Sequence, residues 1–143
     1  MKLADVNVLV YAVNEDAHHH DAARTWLERG LSSTETVAFA WHALVGFVRV
    51  ATHASALELP LSAEDAIDIV EGWLAQPPAV IVHPTDRHPA VLRDLLAPFG
   101  TAGNLVPDAH LAALAIEHGA ELVSFDNDFS RFPGLRWVDP RQA

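Results

Sequence analysis

The chain has 143 residues, the length of one ordinary domain, and we expect a single domain over residues 1–143. Half of the residues are apolar and 20% are charged, a composition that excludes an intrinsically disordered chain. Nine Lys and Arg residues against 19 Asp and Glu residues give a net charge of -10. This charge has the wrong sign for a protein that binds nucleic acid regardless of its sequence.

The chain contains no cysteine, which excludes disulfides, thiolate metal sites and cysteine nucleophiles. No apolar run reaches the ~18 residues needed to cross a bilayer. Asp5 and Asn7 also interrupt the apolar N-terminus where a signal peptide would continue. We therefore expect no membrane segment, no export and a place in the cytoplasm.

The first apolar run, residues 2–5, predicts a short strand that ends at Asp5 and turns directly into a helix. Helical spacing over residues 16–28 predicts a second helix, with Gly30 in the left-handed conformation that often follows a helix. A β-rich run over residues 36–39 predicts the next strand.

A third helix is predicted to begin near Trp41, and its crowded apolar residues indicate burial on most sides. Ser62 is the expected N-cap of a fourth helix, which carries acids in its first turn and ends before Pro77. Residues 79–83 are typical of a buried strand, and residues 89–96 predict a short helix.

A glycine-bearing loop, residues 100–104, leads to Pro107, a favourable first residue for a helix that ends at His118. Residues 122–125 predict a further strand, and residues 135–138 an edge strand. This alternation predicts an α/β fold in which helices cover both faces of a central, mainly parallel sheet of about four to five strands.

Four acidic residues fall at the carboxyl edge of this sheet, where parallel α/β sheets bind their ligands. Asp5 closes the first strand, Asp108 lies in the first turn of the last helix, and Asp126 and Asp128 follow the strand before the edge. Carboxylates gathered in one crevice repel each other unless a cation neutralises them. Mg²⁺ or Mn²⁺ suits an all-oxygen site, which predicts metal-assisted hydrolysis of phosphodiester bonds.

Each acid also has a purely structural interpretation. Asp108 is a favourable partner for the positive end of a helix dipole, and Asp126 and Asp128 are common turn formers. Asp5 is harder to explain in this way, since an unpaired acid in an apolar strand costs several kcal/mol when it is buried. The convergence of the acids on one edge favours a metal site over these separate explanations.

Three segments resemble motifs of the PIN-domain ribonucleases and, among them, of the VapC toxins of bacterial toxin–antitoxin pairs. They are DVNVLVY at residues 5–11, GNLVPDAHLAALA at residues 103–115 and LVSFDNDF at residues 122–129. The three segments occur in the order and spacing of the family, and the match runs nearly from end to end.

The resemblance implies a PIN-like α/β/α sandwich and a Mg²⁺- or Mn²⁺-dependent endoribonuclease. It assigns catalysis and metal binding to Asp5, Asp108 and Asp126, with Asp128 as a further metal ligand. It also implies an RNA substrate, a homodimer and inhibition by a cognate VapB-like antitoxin.

The chain departs from the family on the third helix, where a glutamate usually stands in a context like Glu-Phe-x-Arg. The matching stretch here is GFVR, so Gly46 replaces the acid. We expect position 46 to face the site, so that a glutamate there would add a ligand and would also stabilise the helix if there is room. His42, one turn earlier, is either a ligand or proton-transfer group or a packed or solvent-facing side chain. Arg49 either contacts phosphate or pairs with a nearby acid.

His18, His19 and His20 do not predict a transition-metal site. Adjacent side chains on a helix point about 100° apart, so three consecutive histidines cannot face one ion there. We interpret them as an exposed helix start.

The sequence thus predicts a metal-dependent endoribonuclease toxin, with two alternatives left open. A nuclease acting on DNA or a smaller phosphoester is one, because no residue is assigned to reading a 2′-hydroxyl group. A catalytically weak PIN scaffold that binds RNA or a protein partner is the other, because of Gly46.

Overall fold

The computed structural model describes residues 1–143. Its strands are β1 (Lys2–Ala4), β2 (Val37–Phe39), β3 (Ala79–Ile81), β4 (Glu121–Val123) and β5 (Trp137–Val138). They form one sheet in the order β3-β2-β1-β4-β5, and every neighbouring pair is parallel. The predicted α/β fold with a central parallel sheet is confirmed.

Six α-helices cover this sheet: α1 (Val6–Val13), α2 (His20–Leu31), α3 (Trp41–Ala51), α4 (Ala63–Leu74), α5 (His88–Leu96) and α6 (Val106–Glu117). Helices α1 to α4 build the core on one face, and α5 and α6 build a second core on the other. Neighbouring residues of β1 point to opposite faces, so Leu3 joins the second core and Ala4 the first. None of these helices combines the length and the apolar character needed to span a membrane.

Local capping explains why several helix boundaries match the sequence-based predictions. The Ser62 hydroxyl accepts the N–H of Asp65 at 3.0 Å and so begins α4 at the predicted residue. Helix α6 carries Pro107 in its first turn, where the missing N–H costs nothing. The short 3₁₀ turn Gly103–Leu105 leads into it, with Gly103 at a φ of 50°.

The order of the strands reverses at the central strand, β1. The chain moves from β1 to β2 on one side of the sheet and later returns to β4 on the other side of β1. Ligands of open parallel sheets bind beyond the carboxyl ends of the strands at such a reversal. Asp5 follows β1 directly and Ser124 follows β4 directly, so the two residues meet at that point.

The prediction for α2 was wrong at both ends. Asn14 Oδ1 accepts the N–H of Asp16 at 3.1 Å, which holds this segment in a turn, and the helix begins only at His20. Gly30 is not left-handed but lies inside α2. A Cβ atom on Gly30 would lie 3.0 Å from Val37 Cγ2, so this glycine allows α2 to approach β2 closely.

Two predictions of burial also need correction. Helix α3 is not buried on most sides: Trp41 and Val45, four residues apart on one face, are 48% and 61% exposed, whereas its opposite face is buried. The strand over residues 79–83 is shorter than predicted and lies at the edge of the sheet, with Val80 38% exposed.

Candidate metal centre

Asp5 is buried at the junction of β1 and α1, and its carboxylate has two strong donors. Its backbone is extended, so it acts as the N-cap of α1, and Oδ1 accepts the N–H of Val6 at 2.7 Å. Oδ2 accepts the hydroxyl group of Ser124 at 2.7 Å. Burial raises the pKa of Asp5 above its usual value, the two hydrogen bonds partly oppose this rise, and the charge on Asp126 adds to it.

Ser124 is fully buried and connects the two chain segments that carry Asp5 and Asp126. Its hydroxyl donates to Asp5 and accepts the backbone N–H of Asp126 at 3.0 Å and the side-chain amide of Asn7 at 3.1 Å. One donor and two acceptor positions are the full capacity of a hydroxyl group. Sequence reasoning assigned no role to Ser124 or Asn7, although each stands two residues from an acid within a motif.

Asp108 lies in the first turn of α6. Burial raises its pKa to about 6, and the negative charges of Asp5, Asp126 and Asp128 contribute to the rise. A helix N-terminus alone would favour the charged carboxylate and shift the pKa in the other direction. Asp108 therefore lies within electrostatic range of the other three predicted acids.

Asp126 and Asp128 shape the 3₁₀ turn Asn127–Arg131 after β4. Asp126 Oδ1 accepts the N–H of Asp128 at 2.9 Å, which is the turn-forming role. Its second oxygen forms no hydrogen bond with the protein, so a turn-forming role and a ligand role are compatible. Asp128 is half exposed, and its Oδ1 lies 3.0 Å from Nη2 of Arg131, which competes with any cation for this carboxylate.

Gly46 packs against the first residue of α1. A Cβ atom at this position would lie 2.8 Å from Val6 Cγ2, closer than such atoms approach each other. A side chain at position 46 was expected to stabilise α3 if there was room for it, and Val6 leaves no such room. Position 46 is therefore next to the acid-bearing segment but blocked by Val6.

His42 and Arg49 lie on the exposed side of α3, two turns apart. His42 is close enough to the acids to affect the pKa of Asp5, which it lowers against the larger effect of burial. Arg49 forms none of the ion pairs or side-chain hydrogen bonds of the molecule, so the predicted alternative of a paired arginine is not observed. A phosphate contact by Arg49 stays a prediction.

The three consecutive histidines have separate environments. The Nδ1 atom of His20 lies 2.7 Å from the carbonyl oxygen of Tyr11, to which it donates. The His19 ring stacks on Phe125 with the ring centroids 4.8 Å apart and the planes 4° from parallel, and the exposed His18 ring meets His19 edge-on. Only His18 is exposed, so the interpretation of all three as an exposed helix start was wrong for His19 and His20, which are partly buried by these contacts.

The donor set of the acidic edge consists of carboxylate oxygens, which suits Mg²⁺ or Mn²⁺ better than Zn²⁺. No group of three or more histidine, aspartate or glutamate side chains is arranged to hold one ion as the side chains stand. Mg²⁺ keeps several of its waters and is commonly held by one or two carboxylates, so this spacing is compatible with it.

A cavity of about 550 Å³ lies elsewhere in the molecule. Lys2, Thr36 and Val37 line it at the amino ends of β1 and β2, together with Arg141 near the C-terminus. It is therefore at the end of the sheet opposite to the acids and contains none of the predicted site residues.

The comparisons with known proteins agree with this architecture. Residues 2–135 match the model of the PIN domain family. The chain is 51% identical over 140 residues to Ribonuclease VapC37 of Mycobacterium tuberculosis, covering 98% of this chain and 97% of the relative. It is 39% identical over 140 residues to Ribonuclease VapC33 of the same species, covering 98% of each chain.

Solved structures share the fold at low sequence identity. One is VapBC2 from Rickettsia felis bound to a DNA fragment from its promoter, with a TM-score of 0.69, 21% identity and coverage of 96% of this chain and 97% of that chain. Another is VapBC-1 from nontypeable Haemophilus influenzae, with a TM-score of 0.70, 14% identity and coverage of 98% of both chains. The match over residues 2–135 and the full-length relatives at 51% and 39% identity establish that this chain belongs to the PIN domain family.

Proposed function

We propose that this protein is an endoribonuclease toxin that hydrolyses phosphodiester bonds in RNA at the edge formed by Asp5, Asp108 and Asp126. The observation that carries the proposal is the position of Asp5, Asp108 and Asp126, from distant chain segments, at one edge of the sheet. Burial raises the pKa of Asp108 to about 6, and the charges of Asp5 and Asp126 add to this rise. RNA as the substrate is taken from the relatives named as ribonucleases. We also place the protein in the cytoplasm, where such a toxin would meet RNA.

Asp5, Asp108 and Asp126 would hold Mg²⁺ or Mn²⁺, with Asp128 as a further ligand once it leaves Arg131. The fit is supported by the all-oxygen donor set, by the raised pKa values of Asp5 and Asp108, and by the oxygen of Asp126 that has no partner. When bound, such an ion activates a water molecule for in-line attack and stabilises the charge that develops on the phosphate.

The protein's own side chains prepare the site for this reaction. Ser124 fixes the orientation of Asp5 through Oδ2, and the Val6 N–H fixes the other carboxylate oxygen. Arg49 is exposed and unpaired, and we assign it to the RNA backbone. Because attack by water requires no 2′-hydroxyl group, the products carry 5′-phosphate and 3′-hydroxyl ends.

The net charge of -10 limits nonspecific affinity for RNA, because that affinity comes from cationic contacts. A homodimer brings the few arginines of two chains to one groove and reduces this limitation. The same negative charge suits a VapB-like antitoxin, since an arginine-bearing segment pairs with the carboxylates and displaces the metal.

A catalytically weak PIN scaffold is the second candidate function, and Gly46 is the observation that favours it. The usual helix acid is missing, and Val6 occupies the space next to Gly46. Such a protein would bind RNA or a partner with little turnover. The other alternative, a nuclease that acts on DNA, is distinguished from a ribonuclease by which nucleic acid is cleaved.

The test is cleavage of total bacterial RNA by the purified protein with Mg²⁺ or Mn²⁺, alongside single-stranded and double-stranded DNA. We expect RNA fragments with 5′-phosphate ends, none in EDTA and none with Asp5→Asn or Asp108→Asn. Cleavage of DNA alone would support the DNA nuclease. RNA binding without cleavage at any metal concentration would support the scaffold.

A further inference from the structure

A chain of hydrogen-bonded side chains crosses the contact between α5 and α6, outside the group of acids. It begins at Glu117, whose side chain is fully buried at the end of α6. Glu117 Oε1 accepts the backbone N–H of Thr85 at 2.9 Å and its hydroxyl group at 2.6 Å. Burial alone would raise the pKa of Glu117, but the hydrogen bonds from Thr85 and His88 outweigh it and lower the pKa. Glu117 is therefore held as a carboxylate.

The carboxylate of Glu117 orients two imidazole rings in succession. Its Oε2 accepts the Nδ1–H of His88 at 2.5 Å. Nε2 of the same His88 ring lies 3.0 Å from Nδ1 of His110, within hydrogen-bond distance. One proton is shared between these two nitrogens, and the His110 ring is fixed through His88.

His42 lies at the far end of this chain. Its ring meets the ring of His110 edge to face, with centroids 5.5 Å apart and planes 70° from parallel. His42 is exposed in the first turn of α3, which begins just after β2 and therefore at the same carboxyl edge as the acids. Its effect on the pKa of Asp5 agrees with this position beside the acids.

We propose that His42 is a catalytic residue that donates an N–H to the phosphodiester group cleaved at the acidic edge, and that His110, His88 and Glu117 are positioning residues for it. This inference rests on the proposed function. A hydrogen-bond donor placed where negative charge develops stabilises the transition state, and its prior orientation removes the cost of arranging it during the reaction. The chain of side chains supplies that orientation for an otherwise exposed ring.

The same network also ties α5 to α6, so a purely structural role must be distinguished from a positioning role. A structural role predicts a lower melting temperature and an unchanged reaction rate in the protein that stays folded. A positioning role predicts that substitution of Glu117 or His110 lowers the reaction rate only while His42 is present. The two predictions are separated by measuring both quantities in single and double variants.

The first experiment measures single-turnover cleavage of total bacterial RNA with Mn²⁺, at the position that the unsubstituted protein cleaves most strongly. We expect His42→Ala to lower the rate at saturating protein by about 100-fold, with the melting temperature and the half-saturating concentration unchanged. His42→Gln keeps an N–H donor and should retain part of the rate. His53→Ala removes an exposed histidine just beyond α3 and should have no effect.

The second experiment combines a substitution of the positioning residue Glu117 with a substitution of the catalytic residue His42. Glu117→Gln should lower the rate of the folded protein, but in the His42→Ala background it should cause no further loss, because the group it positions is gone. If the Glu117→Gln protein does not fold, His110→Gln takes its place in this comparison of single and double variants.

An unchanged rate in His42→Ala, or losses that multiply in the double variant, would overturn the inference while leaving the proposed function intact. No cleavage by the unsubstituted protein at any metal concentration would overturn the proposed function and this inference with it.

Discussion

The hydroxyl group of Ser124 donates a hydrogen bond to Oδ2 of Asp5 across 2.7 Å, although the two residues are 119 positions apart in the chain. This bond opposes the rise that burial causes in the pKa of Asp5. A residue that directly follows a different strand, β4, therefore favours the charged carboxylate of Asp5 against the effect of burial.

Ser124→Ala should raise the pKa of Asp5 further, because burial then acts with one fewer opposing hydrogen bond. The acidic limb of the pH dependence of RNA cleavage should move to higher pH, and the unfolding free energy should fall by about 1–3 kcal/mol. Ser124→Thr keeps the hydroxyl group and is the control. An unshifted acidic limb in Ser124→Ala would mean that Asp5 does not govern it.

Asp5→Asn and Asp108→Asn should each abolish RNA cleavage, because the remaining acids do not hold the cation. Asp108→Asn should nevertheless raise the melting temperature of the metal-free protein by roughly 2–6 °C, since it removes a partly buried charge and its repulsion from Asp5 and Asp126. Thermal unfolding in EDTA measures this. A large fall in the melting temperature would indicate that Asp108 has a structural role instead.

The stability of the metal-free protein should depend on pH through Asp108. The folded protein holds a proton on this carboxyl group up to about pH 6, whereas the unfolded chain releases it near the ordinary value of 3.8. The contribution of Asp108 to the unfolding free energy therefore falls as the pH rises from 3.8 to about 6 and stays low above it. The difference between the unsubstituted protein and Asp108→Asn in urea unfolding isolates this contribution, and a difference that is independent of pH would contradict it.

Two helix-interior glycines should respond to alanine in opposite ways. Gly72 in α4 has nothing within 4 Å of an added Cβ atom, so Gly72→Ala should stabilise the protein by up to about 1 kcal/mol. At Gly46 the added atom meets Val6, so Gly46→Ala should destabilise it by about 1–3 kcal/mol. Urea unfolding measures both, and Val6→Ala should relieve part of the cost at position 46. Because Val6 blocks this position, we also expect Gly46→Glu to lower the stability of the protein. Calorimetric titration with Mn²⁺ should show no tighter metal binding in this variant.

An antitoxin segment that carries arginine should inhibit cleavage by pairing with the carboxylates, so inhibition should weaken as the salt concentration rises. Neutralising Asp128, which already pairs with Arg131, should weaken inhibition less than neutralising Asp126. Inhibition constants from cleavage assays at several salt concentrations test this. A partner that binds tightly at saturation and leaves cleavage intact would show that it docks elsewhere.

Sequence reasoning succeeded where a feature depends on nearby residues. The start of α4 follows from the hydroxyl of Ser62 and the N–H three residues later, and the turn after β4 follows from Asp126. The arrangement of the acids also followed, because parallel strands bring their carboxyl ends to one edge.

It failed where a feature depends on packing between distant segments. Gly30 was taken as a helix end because Val37, which needs the space, belongs to the neighbouring strand. The room at Gly46 depends on Val6 in another helix. The link between Glu117 and His88 likewise exists only after α5 packs on α6.

The pairing of β1 with β4 has a consequence for synthesis of the protein. Asp5 emerges from the ribosome early, but its partners Asp108, Ser124 and Asp126 lie near the end of the chain, and β1 pairs with β4 only once residues 121–123 are available. An unfinished chain thus lacks the site altogether. If the proposed site carries the activity, we expect unfinished chains to leave the ribosome and the messenger RNA intact until translation is almost complete.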